Sequence, residues 1–114
     1  MPKDTQGNYK VSGVDLKLTV VVGDAQRGYS NIWLDDVQLT EGRDIKDFRI
    51  AADKAISGKV LLIETQVSVV NPNSKHTSVT STLVGGVQPQ DYDTDEMAAN
   101  TGDSIDHSTT ITFV

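Results

Sequence analysis

The sequence predicts an all-β fold, an antiparallel β-sandwich of six to eight strands with one short helix near residues 94–100. Two observations carry this. Apolar residues alternate with polar ones through most of the chain, the period-two pattern of strands half-buried in a sheet. Gly, Pro, Asn and Asp punctuate these stretches at the intervals expected of short strands and turns.

A single domain is expected to span 1–114, with residues 1–8 as its flexible N-terminal tail. In the stretch Val14 to Val22, residues Val14, Leu16, Leu18, Val20 and Val22 share one face, and Asp15, Lys17 and Thr19 share the other. Gly23-Asp24 and Arg27-Gly28 mark the following loop. A second strand runs from about Tyr29 to Leu34 and continues after Asp35-Asp36 through Val37 to Leu39.

Residues 44–58 admit two readings. A helix capped by Asp44 and stopped at Gly58 would gather Ile45, Phe48, Ala52, Ala55 and Ile56 on one face. A strand would pair Phe48 with Ile50 on one face and turn at 51–54; the surrounding strands favour it. Lys59 to Val70 is the strongest element, with Leu61, Ile63, Thr65, Val67 and Val69 on one side. After the turn signal Asn71-Pro-Asn-Ser-Lys75, the alternating stretch His76 to Val84 predicts that 59–84 form a β-hairpin. The last strand, about His107 to Val114, places Ile111 and Phe113 inward and is expected to be integral to the sheet. Strands in this number suggest an immunoglobulin-like or C2-like arrangement, a statement of architecture that carries no function.

Composition removes several function classes. Without cysteine there is neither a disulfide framework nor a thiolate metal site. The net charge of −6 is unevenly placed: Lys and Arg balance the acids up to Lys75, and beyond it Asp91, Asp93, Asp95, Glu96, Asp103 and Asp106 meet no basic residue. No Lys/Arg cluster offers the surface that nucleic acid requires, so nucleic acid is not an expected partner. The longest apolar runs are far short of a membrane span, and no apolar leader begins the chain; the compartment stays unknown, with the cytoplasm slightly favoured.

Three groups of residues are candidate sites. Asp91, Asp93 and Asp95, in Gln-Asp-Tyr-Asp-Thr-Asp-Glu-Met, open like a calcium loop, with Asp35 and Asp36 as further ligands if loops converge. Glu96 and Gly102 stand where that motif needs Gly and Glu. The competing reading makes Asp93 and Glu96 a capping pair for a helix through Met97, Ala98 and Ala99, stopped at Asn100-Thr-Gly102; this reading is preferred. Tyr29 and Trp33 share a strand face opposite Ser30, Ile32 and Leu34. That face is either covered or a recognition surface, and burial is favoured for Trp33. His76 and His107 lie near serines without any nucleophile-elbow motif, and Gly85-Gly86 lacks the Lys of a phosphate loop.

The expected function is a non-enzymatic interaction or assembly module that binds a protein partner, or itself, through a sheet edge or its acidic C-terminal third, with no cofactor. A calcium-dependent module using Asp91, Asp93 and Asp95 is the alternative, and a small hydrolase dependent on His107 is third.

Overall fold

Alternation becomes layering in the computed structural model, which describes residues 3–50 and 56–114. The described residues hold β1 (Asp4–Tyr9), β2 (Leu16–Val22), β3 (Arg27–Leu34), β4 (Val37–Gly42), β5 (Ile45–Ile50), β6 (Val60–Ser68), β7 (His76–Val84), β8 (Gln90–Met97) and β9 (Ser104–Phe113). They form two sheets, ordered β1-β9-β6-β3-β4 and β5-β2-β7-β8. β1 lies against β8, and β4 runs into β5 through Arg43 and Asp44. The sheets therefore face each other in a sandwich.

The period-two faces found their places except at Val14, which precedes β2 and is exposed. Leu16, Leu18 and Val20 of β2, Leu61, Ile63 and Val67 of β6, and Ile111 and Phe113 of β9 are buried between the sheets. Val79 and Leu83 complete the same layer from β7, and Tyr9 packs its ring edge-on to Phe113, centroids 6.5 Å apart. Tyr92 reaches across the sandwich from β8 to donate its hydroxyl to the Asn8 carbonyl at 2.8 Å. Burial, and then Tyr9, push its phenol pKa up to about 12, so it stays a donor across the physiological range. Gly7 makes room for that crossing, because a Cβ there would sit 2.7 Å from the Tyr92 ring.

Several expectations are corrected. Residues 59–84 are not a hairpin: β6 pairs with β3 and β9 in one sheet, β7 with β2 and β8 in the other. Asn71 to Lys75 is an arch between layers, and a turn signal alone does not distinguish an arch from a hairpin. Residues 94–100 are not helical; β8 runs through Met97 because Tyr92 and Thr94 point inward from a strand laddered to β7. Ala98 then donates its N–H to the Lys75 carbonyl.

The sandwich is not wholly antiparallel, since β1 pairs in parallel with β9 from Asp4↔Ser108 to Tyr9↔Phe113. That ladder makes residues 4–8, expected as tail, part of the larger sheet. Ile45–Ile50 is extended, as the preferred reading of 44–58 had it, while its turn at 51–54 lies outside the described residues. Within β5, Asp47 at φ 50° forms a bulge opposite Thr19, whose Oγ1 accepts the Asp47 N–H at 3.0 Å.

Candidate functional site

The acidic run is the solvent face of an edge strand. Asp91 and Asp93 are exposed and Asp95 half-exposed, each opposite a hydroxyl residue of β7: Thr82, Thr80 and Ser78. Asp91 accepts the Thr82 hydroxyl at 2.7 Å. Four strand positions separate Asp91 from Asp95, a span of roughly 13 Å that one ion with ligands at about 2.3–2.6 Å does not bridge. Asp35 and Asp36 form the two-residue turn between β3 and β4, both at positive φ (45° and 68°), on the opposite flank of the sandwich. Asp35 Oδ1 there accepts the Val60 N–H at 2.8 Å. Among the described residues no three His, Asp or Glu side chains come together as a metal set.

Both histidines are tied into the framework. His107 projects inward from β9 and bridges the two sheets, its Nε2 2.8 Å from Thr77 Oγ1 and its Nδ1 2.8 Å from Thr94 Oγ1. Thr77 donates its proton to the Glu96 carbonyl at 2.7 Å, which leaves its oxygen to accept Nε2–H. Nδ1 then accepts from Thr94, and the neutral ring is satisfied at both nitrogens. Burial holds the His107 pKa below the ordinary histidine range, against the opposing pull of Glu96, Asp4 and Asp95 and with a lesser contribution from Lys3.

Because the folded-state pKa is depressed, the unfolded chain binds the proton more readily. This contribution to stability is complete above about pH 6.5 and is lost as pH falls through the folded-state value. The melting temperature is accordingly expected to drop between about pH 7.5 and pH 5, and a His107→Gln variant, less stable throughout, should show a shallower drop. An equal slope in both proteins would assign the acid sensitivity to other groups.

His76 is partly exposed, with Nδ1 2.9 Å from Asp24 and Nε2 3.5 Å from Asp95. Ser78 donates to the same Asp24 oxygen at 2.8 Å. No serine hydroxyl among the described residues hydrogen-bonds a histidine ring nitrogen. Gly85 and Gly86 have a packing role, for a Cβ on either would collide with the Asp15 or Lys10 carbonyl.

Tyr29 and Trp33 lie on the outer face of the larger sheet, over which no third layer is packed among the described residues. Tyr29 is 41% exposed and Trp33 half-buried. Tyr29 belongs to a feature that sequence patterning did not reveal. β4 ends at Gly42, opposite Ser30, so Arg27, Gly28 and Tyr29 have β6 on one side and no strand on the other. β5 begins at Ile45, opposite Val20, so Val21 and Val22 have β7 on one side and none on the other.

Where the chain crosses from β4 to β5, it thus leaves a notch with an open backbone edge in each sheet. The notch holds a cavity of about 790 Å³, and Arg27, Gly28 and Arg43 also line a separate groove of about 280 Å³ beside Tyr29. Val21 and Val70 are 53% and 46% exposed on its walls. Arg27, Arg43 and Lys46 surround it against a single carboxylate, Asp44. Individually these residues belong to unremarkable strand and turn positions. Only the points where β4 and β5 stop short of their neighbours bring them together, and those depend on register.

No protein-family model, curated protein or solved structure matches the chain, so the functional reading stands on this geometry.

Proposed function

We propose that the protein is a non-enzymatic β-sandwich interaction module that binds a protein partner by strand addition in the notch between β2 and β3. The observation that carries this reading is the pair of open backbone edges, Val21–Val22 and Arg27–Gly28, facing one cavity. Main-chain groups at an open edge supply affinity for an extended segment without regard to sequence, and the flanking side chains select among segments. Here the flanks are Val21, Val70 and the Tyr29 ring together with three cations. They suit a short extended segment that alternates apolar and acidic residues.

A hexapeptide alternating valine and glutamate, titrated into the labelled protein, is expected to shift the amide resonances of Val21, Val22, Gly28 and Tyr29 and to slow their hydrogen exchange. An Arg27→Glu/Arg43→Glu variant should bind it about tenfold more weakly, equivalent to about 1.4 kcal/mol. No saturable shift, or equal binding of a valine–lysine hexapeptide, would sink the proposal.

A further inference from the structure

A second groove lies on the outer face of the larger sheet, away from the notch, with a volume of about 710 Å³. Its floor follows the outward side chains of β6, where Val60, Leu62 and Glu64 succeed one another at every second position. Trp33 stands across from Leu62 on β3 and Thr110 across from it on β9, so the indole and the threonine flank the floor. The β3–β4 turn closes one end with Asp36 and with Asp35, already engaged by the Val60 N–H.

The chemistry of this groove is one-sided. It combines an aromatic wall and an aliphatic floor with carboxylates at both ends, and no Lys, Arg or His lines it. Among the described residues neither Asp36 nor Glu64 is in a salt bridge. An indole face attracts cations through its quadrupole, and more so where water is partly excluded. Carboxylates without cationic partners add Coulomb attraction and directional acceptors for N–H groups. A cavity of this size, mostly apolar with a few convergent polar groups, is of the kind that takes a small ligand.

We infer that the Trp33 groove is a binding site for an organic cation, a guanidinium or alkylammonium group on an apolar stem. The stem lies over Leu62 and Val60, the charge faces the Trp33 ring with Glu64 accepting its N–H groups, and Asp36 at the other end adds Coulomb attraction. A free metabolite or the side chain of an arginine or lysine in another protein would present the same group.

Trp33 is the only tryptophan in the chain, so fluorescence excited at wavelengths where its three tyrosines do not absorb reads this groove alone. Ethylguanidinium, the tripeptide Gly-Arg-Gly and the neutral disaccharide maltose are titrated separately at constant ionic strength. Saturable fluorescence changes are expected with the two cations and not with maltose, weakened about tenfold, or about 1.4 kcal/mol, in Glu64→Gln and by less in Asp36→Asn. Urea midpoints within error of the parent would show that these variants are folded. Tighter binding of the tripeptide assigns the cation to a protein chain, and equal affinity assigns it to a small molecule; both support the site. Absence of saturation with either cation, an equal response to maltose, or undiminished binding in both carboxylate variants would overturn it.

Discussion

Replacing Gln26 with leucine is expected to destabilise the fold by about 3 kcal/mol, a large effect for a residue in a loop. Gln26 is buried where β2 crosses to β3, and its amide is fully used. Oε1 accepts the N–H groups of Val70 and Asn71, both at 2.9 Å, and Nε2 donates to the carbonyls of Ser74 and His76 at 2.9 and 3.1 Å. One side chain thereby holds the arch between β6 and β7 against the arch between β2 and β3. Leucine keeps the volume and leaves four backbone groups to find water, which the partial exposure of Val70 and Asn71 only partly permits. Gln26→Glu is a sharper test. Its carboxylate still accepts from the two N–H groups but faces two carbonyl oxygens, so a comparable loss is expected near neutral pH. Urea unfolding of both variants checks this, and a shift in either below about 1 kcal/mol would show that solvent replaces the clamp.

Truncating Phe113 to alanine is expected to cost about 3 to 5 kcal/mol, the range for emptying an aromatic site in a core. Its ring is fully buried, edge-on to Tyr9, at the end of a strand paired on both sides by β1 and β6. Tyr9 in turn accepts the Gly86 N–H on its hydroxyl at 2.9 Å, so the cavity would open beneath a residue that fixes the β7–β8 loop. Phe113→Leu, which keeps much of the volume, should cost less than half as much. Equal denaturation midpoints for the alanine variant and the parent would refute the claim that this end of β9 anchors the core.

The faces of the strands were legible in the sequence and their partners were not. Leu61, Ile63, Thr65, Val67 and Val69 share a buried face because alternation depends only on the chain itself. Whether β6 ladders to β7 or arches over to the other sheet depends on contacts such as Gln26 with Ser74, between residues far apart in sequence. Local rules misled in the acidic run for a related reason. Asp93 and Glu96 satisfy a capping pattern, but Tyr92 and Thr94 are buried by a strand and would be divided between faces by a helix. The aromatic face of β3 was visible as a set, Tyr29 with Trp33, while its two neighbourhoods were not. Tyr29 lies beside the open edge and Trp33 beside Leu62 because of where β4 ends and how β6 is registered.

The parallel ladder between β1 and β9 has a consequence for how the protein is made. Asp4 meets Ser108, so β1 leaves the ribosome before the other strands of this sandwich and waits for β9 before it has its partner. Until then the β9 side of β6, in the middle of the larger sheet, is bare as well. Chains dominated by such distant pairings fold in milliseconds to seconds, and their unpaired strands are exposed to association in the interval. The larger sheet is therefore completed only once β9 has emerged, and the nascent chain is most in need of a chaperone while β6 is outside the tunnel and β9 is not.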